Sequence, residues 1–409
     1  MREAILIRGA RQLLTLRGPS GPRRGNALRD LGLVQEGAVL IRDGMIVDVG
    51  PARRIENLAE ARDAVEIDAT GRVVMPGFVD SNTHLLCARP RYGDVGDFAD
   101  PAAVSLDACR RLVRSSPAAT LKFRAREVLR QFARHGTTTV EAKSGYGQDE
   151  SSEIKMLRVL GASHHDPLGV AATYLGMFAV PPEYSGRSGD YVNEVCSVVL
   201  PRVSKNRLAR FAEISFEYEA FTKEHASRYI TSVQALGFGL RVAGYPRLAV
   251  EAGAVTSDQT GPVDREDAQM LAHSSTISCL LPGPAFHLDT GRYPSGRVLI
   301  DEGASIALAT GYNPHSSPSC SMQMMISLAC LHMKMTPSEA ISAATINGAC
   351  AIRSSETTGS IEYGKQADLL ILEVSDYREI HQHFGQNLVR VAFKRGVDLC
   401  CTEASCPRP

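Results

Sequence analysis

Between residues 76 and 359 the sequence switches about eight times between short runs rich in β-branched residues and longer runs with apolar residues three to four apart, a rhythm that restricts the fold more than any other feature. Leu121, Ala125, Val128, Leu129 and Phe132 form a helical stripe that Gly136 ends, and a strand is expected directly after it at 137–142. A helix on Ile154, Leu157 and Leu160 follows, then a strand at 170–175, a helix near 192–203 and a strand at 212–218. Further strands are expected at 239–243, 254–256, 276–281 and 305–310, with closing helices at 321–334 and 337–349. About eight strands separated by helices fit a (β/α)8 barrel, although a doubly wound open sheet gives the same local signals.

The flanks read differently. Residues 38–50 are two short strands around Asp43-Gly44, a hairpin signal, and 66–78 repeats the pattern. At the other end 359–372 and 388–396 are again strand-like. The expected organisation is therefore a small β-sandwich built from residues 1–75 and 360–409, closed around a barrel of residues 76–359. The composite β module tips the choice to the barrel.

Composition excludes several function classes. Lys and Arg number 45 and Asp and Glu 45, so formal net charge is zero and neither nucleic acid nor an acidic membrane is an expected partner. No run approaches the ~20 apolar residues that span a bilayer, and residues 1–18 lack the apolar core of a signal peptide, so the expected location is cytoplasmic. The ten cysteines form no CxxC pair and read as reduced, small core hydrophobes, with Cys400, Cys401 and Cys406 in a frayed tail.

Six short runs carry more specific information. They are Pro76-Gly77-Phe78-Val79-Asp80, the stretch from Gly136 to Gly147 ending Lys143-Ser144-Gly145-Tyr146-Gly147, Val180-Pro181-Pro182-Glu183-Tyr184, Ala309-Thr310-Gly311-Tyr312-Asn313-Pro314, Ala344 to Ala349, and Gly364 to Leu369. In this order and over nearly the whole chain they resemble the amidohydrolase superfamily, and within it the imidazolonepropionases, which hydrolyse a cyclic amide. The resemblance implies an amidohydrolase-type barrel, a homodimer, and a divalent metal held by a His-x-His pair, two further His and an Asp.

Carried onto this sequence, the His-x-His pair falls on Asn82 and His84, the strand-five His on Ala243, the strand-six His on Gln259 and the strand-eight Asp on Gly311. A general acid/base Glu falls on Pro246, and a substrate-contacting His falls on Phe178. A lone imidazole does not hold zinc, and amide, methyl or glycine positions add little or nothing to it. No cofactor is expected at these positions, with zinc or iron only if the site is rebuilt, for which His273 and His287 are candidates. Every replacement is neutral, which spares the barrel an unpaired buried charge.

Other pocket positions keep their polar character. The resemblance implies that Arg91 grips a substrate carboxylate, that Tyr146 bonds the polar ring and that Asn313 adds a contact; a loop cation is the bland reading of Arg91. Lys143 is a catalytic candidate if burial lowers its pKa towards neutrality and makes it a nucleophile or base, against a structural ion pair with Glu141 or Asp149. His84 is the second catalytic candidate, against a histidine satisfied on the pocket floor. Residues 97–104 lack the glycine-rich lid of the family. The expectation from these losses is a barrel that binds a small carboxylate-bearing ligand without hydrolysing it, in a binding or regulatory role. The alternatives are an active hydrolase with a rebuilt metal site and a metal-independent enzyme using Lys143.

Overall fold

The computed structural model describes residues 4–87, 106–216 and 220–399. The termini meet in one mixed eight-stranded sheet. Its strands are β1 (Ile5–Leu14), β2 (Leu33–Arg42), β3 (Met45–Pro51), β4 (Val65–Asp68) and β5 (Val73–Pro76) from the first segment. After the barrel, whose strands are β6 to β13, the last segment adds β14 (Leu369–Leu372), β15 (Val389–Lys394) and β16 (Val397–Asp398). The order is β16-β15-β14-β5-β1-β2-β3, with β4 also on β1. The antiparallel register Leu370↔Met75 joins the two ends of the chain, and Ile7, Leu13, Val39, Ile371 and Phe393 fill the core beneath. The β2–β3 turn is the Asp43-Gly44 hairpin, both residues with positive φ (52° and 80°), as a tight two-residue turn matched to strand twist requires.

The eight barrel strands are β6 (Phe78–Asp80), β7 (Thr137–Lys143), β8 (Gly169–Met177), β9 (Phe211–Ser215), β10 (Gly239–Ala243), β11 (Thr256–Gln259), β12 (Ile277–Leu280) and β13 (Ile306–Leu308), paired in parallel in chain order. Nearly all of their residues are buried, because helices cover the outer face while side chains fill the interior. The ring closes without a β13–β6 ladder. Thr310 instead donates its N–H and its hydroxyl to Asp80 (3.2 and 2.6 Å), and His84 N–H reaches the Tyr312 carbonyl at 2.7 Å.

Local detail departs from the periodicity in two places. The helix expected at 337–349 is two, Pro337–Ala344 and Ile346–Ala351, because Thr345 leaves helical backbone at φ −127°, ψ −93°. The helix expected near 192–203 runs as Ser188–Glu194, a π turn at Val195–Val199, and Leu200–Lys205. The Cys400, Cys401 and Cys406 tail lies outside the described residues. Among the described residues no helix is long and apolar enough to cross a membrane.

Asp80 makes the barrel closure pH-sensitive. Burial pushes its carboxyl up to about 7 against the opposing Thr310 and Asn82 hydrogen bonds. A folded pKa above the unfolded one means that the native state keeps a proton the unfolded chain releases, so this stabilisation is complete below about pH 4 and lost as pH rises through 7. Asp80→Asn should remove that dependence. Urea denaturation of variant and parent should show the stability difference moving in the variant's favour by about 1–3 kcal/mol between pH 5 and 8.

Candidate active site at the barrel mouth

At the C-terminal end of the barrel, where the strand-to-loop junctions converge, lies a cavity of about 540 Å³, the size of a small-molecule site. Asn82, His84, Tyr146, Phe178, Ala243, Gly311 and Asn313 all line it, so positions scattered over 230 residues of sequence meet at one place. Gln259 does not line it: its amide turns to Ser257 Oγ at 2.7 Å, and the preceding Asp258 faces the cavity instead. Arg91 and the region 97–104 lie outside the described residues.

The Lys143-to-Gly147 turn places Tyr146. Gly145 has φ +106°, and a Cβ there would stand 2.7 Å from the Leu175 carbonyl oxygen, so only glycine fits. The buried Glu153 carboxylate accepts the N–H groups of Gly145 (2.6 Å), Gly147 (2.8 Å) and Gln148 (2.8 Å), which sets the loop from the following helix. Tyr146 then meets His84 Nδ1 at 2.8 Å and accepts from Asn313 Nδ2 at 3.2 Å. The Asn313 amide is itself oriented, since its Oδ1 accepts the His315 N–H at 3.0 Å. Where the Tyr146 hydroxyl donates to His84 Nδ1, the neutral ring carries its proton on Nε2. Burial and the neighbouring charges of Lys143 and Arg241 lower the His84 pKa to about 3, so the ring stays neutral through the physiological range.

Beneath the cavity lies a charge cluster that sequence reading misses. Lys143 Nζ contacts Glu141 (3.2 Å), Glu213 and Asp258 (3.8 Å), and all four side chains are buried. Arg241, fully buried, bonds Glu213 (3.2 Å) and Asp258 (3.2 Å) and reaches the Ser81 carbonyl at 2.8 Å. Asn82 Nδ2 completes the Asp258 shell at 2.6 Å. Desolvation pulls the Lys143 ammonium down, but its carboxylate neighbours outweigh it and the net shift is upward. Of the two readings of Lys143, the structure has the ion pair and not the neutral nucleophile: Lys143 stays charged. Its partners include Glu141 but not Asp149, which instead caps the next helix at Ser152 N–H (2.9 Å) and pairs with Arg114 at 2.9 Å. Burial raises the Glu213 carboxyl; Asp258 is also desolvated, yet Arg241 and Lys143 hold it below its ordinary value. In the sequence the cluster shows as single charged residues, Glu213, Arg241 and Asp258, inside strands otherwise free of charge.

These residues do not fit the metal that the resemblance implies. Ala243 and Gly311 bring no donor atom, Asn82 spends its NH₂ on Asp258, and the carboxylates that remain already face two cations that a divalent ion would have to approach. His273 and His287 do not repair the set. His273 bonds its own helix at Gln269 O, and the exposed His287 is not among the residues lining the cavity.

The comparisons with known proteins bear on what such a barrel does. Residues 217–398 match the amidohydrolase family. The imidazolonepropionase of Symbiobacterium thermophilum is 38% identical over 96% of both chains, and that of Geobacillus kaustophilus 38% identical over 96% of this chain and 97% of its own. Among solved structures, the fold is similar to that of an adenosine deaminase from Xanthomonas campestris with bound zinc (TM-score 0.68, 16% identity, 96% of this chain and 92% of that one). It is also similar to E. coli guanine deaminase (TM-score 0.70, 13% identity, 97% and 99%). Two expectations are corrected. Full-length likeness to named imidazolonepropionases supports an active amidohydrolase rather than a barrel that binds without hydrolysing. The zinc in a neighbour of the same fold likewise leaves the expected absence of any cofactor without support. The chain belongs to the imidazolonepropionase family of amidohydrolases.

Proposed function

We propose that the chain hydrolyses the C–N bond of a small, carboxylate-bearing cyclic amide in the barrel-mouth cavity, as its relatives' name indicates for them. One observation carries this reading. Asn82 Oδ1 is buried and has no hydrogen-bond partner among the described residues, and it lies two residues from His84, whose Nε2–H is the donor left by the Tyr146 contact. A buried acceptor without a partner costs about 1–3 kcal/mol, so the pair suits a ring that presents N–H and C=O side by side.

In this reading the ring N–H donates to Asn82 Oδ1 and the carbonyl oxygen accepts from His84 Nε2. The neutral imidazole stabilises the negative charge that develops on that oxygen when water adds to the carbonyl carbon. Glu213, on the cavity lining with its proton affinity raised by burial, takes the proton that water gives up. The C–N bond then breaks and the same proton passes to the departing nitrogen, so the sum is one water added across one bond. Phe178, edge-on to Tyr146 at 5.7 Å, forms an apolar wall that shields the ring. Arg91 is the proposed grip on the carboxylate.

The test is direct: the purified full chain is incubated with imidazolone propionate, and ring opening is followed by absorbance and by the mass of one added water. Turnover above the buffer rate is the expected result. A rate equal to buffer at saturating ligand overturns the proposal.

A further inference from the structure

Three residues that the proposed chemistry does not use meet at the rim of the same cavity. Cys87 lies three residues beyond His84 after β6, Cys109 is on the helix Leu106–Ser115, and His315 follows Gly311 by four residues after β13. The two sulfurs are 3.2 Å apart, Cys109 Sγ is 3.7 Å from His315 Nε2, and one donor atom from each residue lies within 4.8 Å of the other two. The cysteines are buried, His315 is half-buried, and all three line the cavity.

The geometry is that of a ligand set. At 3.2 Å the sulfurs are well beyond the ~2.05 Å of a disulfide bond. Donor atoms around a tetrahedral zinc, with Zn–S ~2.3 Å and Zn–N ~2.0–2.1 Å, stand roughly 3.5–3.8 Å apart. The Cys–His spacing already has that value, and the two thiols need to open by only about half an ångström. Two thiolates and an imidazole form a soft, nitrogen-and-sulfur donor set that selects zinc-like ions over magnesium or calcium. The His315 ring turns its Nε2 towards Cys109 Sγ, which puts that nitrogen in reach of an ion held by the two sulfurs.

We propose that Cys87, Cys109 and His315 form a binding site for a zinc-like divalent ion, with the fourth coordination position facing the cavity. Three protein ligands and one open position are the arrangement of a reactive site rather than a closed structural one. Cys87 and His315 lie on the same two strand-to-loop segments as Asn82 and Gly311, a few residues further on. The site stands whether or not the hydrolysis proposed above is found, because its test reads metal binding.

The full-length protein, reduced and stripped with chelator, is titrated with cobalt(II) and then with zinc. About one equivalent of cobalt should bind with a thiolate-to-cobalt charge-transfer band, and zinc should displace it. His315→Ala and Cys109→Ser should each weaken binding at least tenfold, whereas Cys330→Ser, away from the triad, should leave it unchanged. Because Cys109→Ser alters a buried position, His315→Ala and circular dichroism of both variants guard against reading misfolding as lost binding. The proposal is overturned if no band appears while both thiols react with a thiol reagent. It is equally overturned if the untreated protein carries a Cys87–Cys109 disulfide and no metal, or if both variants keep the band.

Discussion

Arg241→Met should destabilise the protein by about 3–5 kcal/mol, the cost of leaving a buried carboxylate without its partner. Arg241 is fully buried and is the guanidinium that both Glu213 and Asp258 share, and its Nη2 also satisfies the Ser81 carbonyl. Methionine preserves much of the apolar stem but none of the five donors. Lys143 alone would then face Glu141, Glu213 and Asp258. The double variant Arg241→Met with Asp258→Asn should recover a large part of the loss, since it removes the orphaned charge together with the cation. Urea denaturation followed by circular dichroism measures both. A single variant within about 1 kcal/mol of the parent would mean that the cluster does not hold the barrel floor together.

His84→Ala should lower kcat for ring opening by about 10²–10³, the usual cost of removing one donor aimed at a developing oxyanion. Tyr146→Phe should cost less while changing the same step. It keeps the ring that packs on Phe178 but releases His84 Nδ1, so the imidazole loses the partner that fixes its tautomer. A merely structural role for Tyr146 would show as lost stability with kcat intact; the expected pattern is the reverse, with KM less affected than kcat. The pH profile offers a second check. Glu213 acts as a base only when ionised, and its proton affinity is raised by burial, so the acid limb of activity should lie above the ordinary carboxylate range. Equal activity of His84→Ala and the parent would remove His84 from the chemistry.

Much of the architecture was legible in the sequence because it rests on local periodicity. Eight strands recur between helices, and a two-residue Asp43-Gly44 turn announces the first hairpin. The likeness of the six short runs also brought Asn82, His84, Ala243 and Gly311 to one imagined site, and they do share one cavity. It failed at Gln259, where one residue along a strand reverses the face and Asp258 points inward.

Lys143 shows the limit most clearly. Its burial could be inferred from the strand, and desolvation alone lowers an ammonium pKa. The net shift is upward because Glu141, two positions away, is joined by Glu213 and Asp258, which lie 70 and 115 positions away and reach Lys143 only because parallel strands stack their inward residues in one layer.

Periodicity, turn chemistry and family-like runs in the sequence therefore determined the barrel and the composite sheet, since each is written in residues close together or in a familiar order. Only the tertiary structure decided which charges neutralise one another, which acceptor on Asn82 is left over, and that Cys87, Cys109 and His315 meet. Those depend on through-space distances of a few ångströms, and electrostatic and coordination energies change steeply over that range while sequence separation carries no trace of it.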